Sequence, residues 1–373
     1  MGRTVLITGA SGAIGPSLLA ELLQSEGIAR VVVLLRAGPR WDRRISELLA
    51  RLSPAGGLVC VAGDVVRPDL GLVLGERDRL MQQVDVVIHA AANTRFSAPA
   101  GELQHVNVEG TRHVLAFARR CARLEQFLLV STACVAGTKT GVIVERLEDQ
   151  PGAFVNPYER TKWEAERLAA AADLPVRIAR LSTCIGDERT GRVDRFGALH
   201  QTLRWLIRGL VPMVPAVEGS RVDLIATGVA ARWIARAAVQ PVNALEVCHV
   251  AAGPQAIPLR DLVECTVAHL RETVPGWRSG QLDAPLIVDR DTFRMFERSV
   301  AQSGDVVFAR VLEAAGSFFP VLLYPKEYQT AQAEALWGGR LQLSDWCSTV
   351  RHVIDFGCGR QWRRPRAAEL SHV

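Results

Sequence analysis

The sequence predicts an α/β fold, a doubly wound parallel sheet followed by a smaller, mostly helical C-terminal region. Three observations predict it. Over about the first 180 residues, short β-branched apolar runs alternate with longer stretches of helical period, the pattern of repeated βαβ units. The runs are almost wholly apolar, as strands covered on both faces must be. The first run ends in a glycine-rich turn that leads straight into a helix.

Taken in order, strands are predicted at 4–8, 31–35, 58–62, 85–89, 127–130 and 176–181, with helices at 14–25, 41–52, 102–121 and 157–172. Past residue 186 comes a Gly/Arg-rich stretch, then a helical segment at 196–208 and a loop at 209–219 punctuated by Pro212 and Pro215. A strand and helix over 221–238 and a strand near 246–250 are expected to return to the main sheet. Residues 255–373 read as mostly helical. The expected division is a nucleotide-binding domain, 1–185 with 221–252 returning to it, and a substrate-binding lid region, 186–220 with 253–373.

The 373 residues are 49% hydrophobic and 22% charged, ordinary for a globular protein, and no apolar run approaches the ~20 residues of a membrane helix. The Met-Gly-Arg-Thr start enters a strand pattern without a leader, so cytoplasmic residence is expected. Eight cysteines show no Cys-x-x-Cys and no metal-ligand spacing, which predicts buried reduced thiols and no metal. The net charge of +5 is spread along the chain. Arg360, Arg363, Arg364 and Arg366, with Trp362, read as a solvated end and not as a nucleic-acid patch. A mildly basic surface suits a phosphate-bearing cofactor or an acidic carrier protein. Self-association as a homodimer is left open.

The turn Thr8-Gly9-Ala10-Ser11-Gly12-Ala13-Ile14-Gly15 sits between strand and helix. Glycines at this spacing allow a tight turn, let backbone N–H groups approach a pyrophosphate, and let helix and strand pack closely. Gly9, Ser11, Gly12, Ala13, Ile14 and Gly15 are therefore candidate cofactor contacts in a Rossmann-type domain. A site selective for NAD would place an acid at the end of the second strand, where this chain has Leu34-Leu35-Arg36. A guanidinium binds a 2′-phosphate through a charge-assisted fork, so the expected cofactor is NADPH/NADP+, with Arg40, Arg43 or Arg44 able to assist. Asp64 and Val65 follow the third strand, where a carboxylate can bond the adenine or simply cap the next turn. His89 reads as a core histidine. Ala90, Ala91 and Ala92 let a cofactor lie against the strand end, and Leu181 and Thr183 at the end of the sixth strand complete the candidate contacts.

The chemistry rests on a rare residue. Lysine occurs only at 139, 162 and 326, the rest of the 44 Lys+Arg being arginine, and tyrosine only at 158, 324 and 328. A chance Tyr-x-x-x-Lys would arise in roughly one such chain in forty. Tyr158 and Lys162 stand one helical turn apart on one face. An ammonium there favours the phenolate and lowers a pKa that is normally ~10, so that Tyr158 can exchange a proton. The fifth strand ends in Val130-Ser131-Thr132, whose hydroxyl would polarise a substrate carbonyl. Asn107, a poor helix former inside a predicted helix, is expected to support Lys162 through backbone and water. Lys162 is also a candidate cofactor contact.

Together these residues resemble the extended members of the short-chain dehydrogenase/reductase superfamily over about residues 3–252. The segments 89–97, 107–111, 130–132 and especially Gly186-Asp187-Glu188-Arg189-Thr190-Gly191 are similar to the branch of fatty acyl-CoA reductases and terminal thioester reductase domains. The resemblance implies NADPH and a catalytic set of Thr132, Tyr158 and Lys162 with Asn107 in support. Leu181 in place of a proline, and Ala226-Thr227-Gly228 in place of Pro-Val-Asp, depart from the branch. Ala136 in place of a tyrosine departs from sugar-nucleotide members. The expected function is reduction of an acyl thioester, carried on a separate carrier protein or on coenzyme A, or of a derived aldehyde or ketone. The alternatives are an NAD(P)-retaining epimerase or dehydratase and a non-catalytic dinucleotide-binding redox sensor. The stretch Phe318–Tyr324 reads as core before it reads as an acyl pocket.

Overall fold

The computed structural model describes residues 2–36, 38, 57–149, 152–278, 282–316, 318–360 and 362. The expected helix at 41–52, Arg40, Arg43, Arg44, Arg363, Arg364 and Arg366 lie outside them.

Seven parallel strands form the central sheet: β1 (Arg3–Thr8), β2 (Ile28–Leu35), β3 (Leu58–Ala62), β4 (Val86–His89), β5 (Gln126–Thr132), β6 (Val176–Leu181) and β7 (Glu246–Val250). Their spatial order is β7-β6-β5-β4-β1-β2-β3, so the winding direction reverses between β1 and β4. Alternating residues face opposite layers. Val5, Ile7, Val31, Val33 and Ile88 pack under α1 (Gly15–Gln24). Leu6, Val32, Leu34, Val87 and Phe127 pack on the other side, against α2 (Leu74–Gln83) and α3 (Gly110–Ala118). Further along come α4 (Pro157–Ala170), α5 (Ala198–Ile207) and α6 (Thr227–Ala237), the last packed on α1. The C-terminal third supplies α7 (Leu259–Thr273), α8 (Arg290–Ser303), α9 (Val306–Ala315) and α11 (Trp346–Arg360) around a second apolar core, while α10 (Ala331–Trp337) packs into the first core through Ala333.

Several expectations change. The segment 221–225 does not join the main sheet. Asp223 breaks it into Arg221–Val222, antiparallel to Ile257–Pro258, and Leu224–Ile225, parallel to Thr183–Cys184. The break is held from a distance in sequence: the Asp223 carboxylate accepts from Ala252 N and Gly253 N, both at 2.8 Å. The loop at 209–219 contains a strand, Met213–Pro215, paired with Leu286–Val288. The predicted helix at 102–121 is interrupted, with Ala100–Leu103 leading into a π-helical turn, Gln104–Glu109, before α3. Phe318, Phe319 and Leu322 are core, in and beside the short helix Phe319–Leu322. Trp362 is not solvated; it is buried beside Phe196, ring centroids 5.1 Å apart.

The cysteine expectation fails at one pair. Cys265 of α7 and Cys347 of α11 form a disulfide, Cα atoms 6.3 Å apart. The two are 82 residues apart in sequence, so no local spacing announces them. Among the described residues no helix is long and apolar enough to cross a membrane.

Candidate functional site

The glycine turn is built for close approach. Gly9 has φ +80°, and a Cβ there would collide with the Ala90–Ala91 backbone. A Cβ on Gly15 would collide with the Ala10 carbonyl, so strand and helix pack more closely than a side chain permits. Gly12 N donates to Gly9 O at 2.8 Å and closes the turn, with Ser11 and Ala13 exposed on its crest. Ile14, the N-cap of α1, offers no side-chain cap, so the free N–H groups of the first helical turn suit an anion. This cradle of bare backbone fits a dinucleotide pyrophosphate.

Beneath it runs a buried polar chain. Thr8 Oγ1 lies 2.8 Å from His89 Nδ1 and accepts from Ala91 N at 3.2 Å; His89 Nε2 lies 3.0 Å from Thr111 Oγ1. Burial, aided by the charge of Lys162, pushes His89 down to about 3, so it stays neutral and structural, as expected of a core histidine. Asp64 accepts from Val66 N at 3.2 Å, which is the capping role. Arg36 is exposed just past β2. Leu181 closes β6 in register with Thr132, and Thr183 starts the short strand that follows.

Tyr158 enters through a well-made helix start. Asn156 caps α4 by accepting from Glu159 N at 3.0 Å, Pro157 occupies the first helical position, and Glu159 Oε2 accepts from Val155 N at 2.9 Å. Tyr158 therefore sits in the first turn and Lys162 in the next, both buried. The Thr132 side chain acts on the phenol, which stacks on Phe96, centroids 5.1 Å apart. Lys162 Nζ donates to Val130 O at 2.8 Å, which ties the helix to β5. The structure thus brings Thr132, Tyr158 and Lys162 to one strand end.

Two electrostatic expectations are corrected. The Tyr158 pKa is raised, not lowered, because burial outweighs everything else and the Cys134 thiol adds to it, while the Thr132 side chain opposes. Burial also pulls Lys162 down to about 8 against the pull of Glu166, so its ammonium is a weaker influence than the sequence suggests. A protonated phenol is the form that donates. The direct bonds of the Asn107 side chain go to residues other than Lys162: its Oδ1 accepts from Asn93 N at 2.8 Å, and its Nδ2 donates to Asn93 O at 3.0 Å and Thr161 Oγ1 at 3.1 Å. It braces the loop after β4 against α4 from within the π-helical turn.

The sequence reading missed four neighbours. Phe96 covers the phenol, and Cys134 donates its N–H to Thr132 Oγ1 at 3.2 Å. Glu159, raised to about 7 by burial, interacts with Lys326 and Tyr158. Lys326 arrives from the strand Lys326–Tyr328, paired with Gly141–Ile143. The rarity of lysine that singled out Lys162 singles out Lys326 equally.

Below the site, Glu166 accepts from Ser131 Oγ at 2.6 Å, Arg180 Nε at 3.0 Å and Arg180 Nη2 at 2.7 Å. Both members of this ion pair are fully buried. Farther out, the Glu188 carboxylate pairs with Arg232 at 2.9 Å, and Glu188 O lies 3.0 Å from His352 Nδ1 of α11. Gly191, at φ +64°, lies flush against the His352 carbonyl, where no side chain fits.

A parallel sheet in the order 3-2-1-4-5-6-7 with this glycine turn defines an NAD(P)-binding oxidoreductase fold of the extended short-chain dehydrogenase/reductase type. Residues 7–234 match the family described as Male sterility protein, and the chain belongs to that family. It is 28% identical over 280 residues to the glycine betaine reductase ATRR of Emericella nidulans, covering 70% of this chain and 22% of that protein. It is 31% identical over 145 residues to fatty acyl-CoA reductase 1 of Xenopus laevis, covering 35% of this chain and 28% of that one. The chain thus spans under a third of either relative's length. Among solved structures, the terminal R domain of the myxalamid PKS-NRPS pathway superposes with a TM-score of 0.78 at 25% identity, over 97% of this chain and 92% of that one.

Proposed function

We propose that this chain is an NADPH-dependent reductase of an acyl thioester, carried on a carrier protein or on coenzyme A, with Thr132, Tyr158 and Lys162 as its catalytic residues. The observation that carries the reading is the convergence of these three side chains at the carboxyl end of β5. The likeness to an R domain over nearly the whole chain supports the thioester class. Arg36, where an NAD site would hold an acid, supports the cofactor choice.

Bound NADPH would supply a hydride to the thioester carbonyl carbon. The Thr132 hydroxyl and the Tyr158 phenol hold the carbonyl oxygen, and Tyr158 delivers a proton to it as charge develops there. Lys162, anchored on Val130 O, holds its charge near the phenol so that the phenolate left behind is stabilised. The hemithioacetal so formed loses thiol to give the aldehyde. Phe96 over the phenol keeps water from the proton donor.

The test is loss of NADPH absorbance with a panel of acyl thioesters, aldehydes and ketones, with NADH in parallel. Thioester-dependent oxidation of NADPH is expected, and Tyr158→Phe should abolish it while retaining cofactor binding. An unchanged rate in that variant refutes the catalytic assignment. Cofactor that binds without net oxidation moves the chain to the epimerase or dehydratase class.

A further inference from the structure

Helix α5 carries a charge arrangement that the site has not used. Arg204 and Arg208 stand four residues apart on either side of Trp205, their Cζ atoms 5.8 and 5.1 Å from the indole ring centroid. The Nε of each is buried without a hydrogen-bond partner, and among the described residues no carboxylate pairs with either guanidinium. Elsewhere the chain matches its buried arginines with acids, Arg180 with Glu166 and Arg177 with Glu246. Two like charges one helical turn apart repel, and desolvation together with Arg204 lowers the pKa of Arg208. Stacking on Trp205 accounts for the ring-facing side of each guanidinium and leaves the in-plane N–H groups unused.

The helix is held rigidly and close to the site. Its other face, with Leu199, Leu203, Leu206 and Ile207, is in the second core, and the Trp277 indole donates to Leu206 O and Ile207 O. At its start His200 Nε2 donates to Ile185 O at 2.6 Å. Ile185 follows Cys184, whose thiol raises the pKa of Tyr158. Arg204 and Arg208 lie ~6 and ~12 Å along the helix from His200. The pair is therefore set off from the segment next to Tyr158 by about one and two helical turns.

Resting on the thioester reading above, we propose that Arg204 and Arg208, spread across Trp205, grip the phosphate at the far end of the pantetheinyl arm that delivers the acyl group. The arm separates its phosphate from the thioester sulfur by many bonds, so the phosphate must be held away from the reacting carbonyl. Guanidinium forks bind phosphate oxygens in pairs, and a phosphate relieves the repulsion between the two arginines. Carrier-bound and coenzyme A thioesters share this phosphate.

The experiment places one acyl group on N-acetylcysteamine, which has no phosphate, on 4′-phosphopantetheine and on coenzyme A, with NADPH saturating. For the wild type, KM should be roughly tenfold or more lower with phosphate present, the effect of one charge-assisted hydrogen bond or more. The double variant Arg204→Met/Arg208→Met should lose that advantage, with kcat and the N-acetylcysteamine KM unchanged. Arg204→Lys/Arg208→Lys, which keeps the charge, should retain part of it. A KM that rises alike for all three substrates, or for none, overturns the grip. An advantage shared by phosphopantetheine and coenzyme A assigns the common phosphate; one confined to coenzyme A overturns the shared-arm assignment. If wild type consumes no thioester, the thioester reading fails. Titration calorimetry with coenzyme A then tests the grip alone: equal binding by wild type and the methionine variant overturns it, and binding lost in the variant upholds it.

Discussion

Replacing Glu166 by Gln should unfold this protein more readily than any surface change. Glu166 and Arg180 are both fully buried, and the carboxylate accepts two hydrogen bonds from the guanidinium and one from Ser131. In Glu166→Gln the guanidinium keeps its charge and loses the carboxylate that pairs with it. What remain are a neutral amide oxygen and His249 Nε2 at 3.3 Å, and burial holds His249 neutral, down to about 3, so among the described residues no anion takes the place of Glu166. Removing one partner of a buried pair costs about 3–5 kcal/mol. Removing the Arg180 charge as well costs far less, since no uncompensated charge is left. Urea unfolding should therefore give about 3–5 kcal/mol for Glu166→Gln, with most of it regained in Glu166→Gln/Arg180→Met. A single-variant cost below about 1 kcal/mol, or a double variant whose loss is the sum of the singles, would refute the reasoning.

The remaining predictions are as follows. Lys162, held at about 8 against 10.5 when unfolded, binds its proton less tightly in the folded state. The unfolded chain then holds more protons from pH 8 upward, so stability of the cofactor-free protein should rise by about 2 kcal/mol between pH 8 and 10. Lys162→Met, followed by urea unfolding across that range, should lack this rise. Reducing the Cys265–Cys347 bond should lower stability by about 4 kcal/mol from the loop it closes, read as a shift of the unfolding midpoint with and without a phosphine reductant. The Cys265→Ser/Cys347→Ser protein should be indifferent to reductant. Gly15→Ala forces α1 away from the Ala10 carbonyl, costing about 1–3 kcal/mol in unfolding and weakening the dinucleotide fluorescence titration.

The central sheet was legible because its strands are mostly apolar and the glycine turn is a local signal. Runs that depend on a distant partner were not. The stretch 221–225 has the composition of one strand, yet Asp223 is pulled toward the amides of Ala252 and Gly253, and no local pattern reveals that. The meeting of Tyr158, Lys162 and Thr132 at one strand end was readable from type and spacing, but the direction of the Tyr158 shift was not. Spacing reports which charge is near; it does not report how much water has gone, and here burial decides the sign. Lys326 was hidden for a third reason. Its sequence neighbours carry no motif, and only pairing with the strand at 141–143 brings it beside Glu159.

That pairing bears on how the molecule assembles. Lys326–Tyr328 lies parallel to Gly141–Ile143, and Glu145, just beyond, takes the amides of Gln332 and Ala333 at the start of α10 as well as His249 N at the end of the sheet. One carboxylate thus joins segments separated by more than 180 positions, contacts whose loop entropy must be met before they contribute. During synthesis the glycine cradle and the first strands can form early from local contacts. The surroundings of Tyr158 are completed only when the last third of the chain comes back across the sheet edge, so competence should lag compaction.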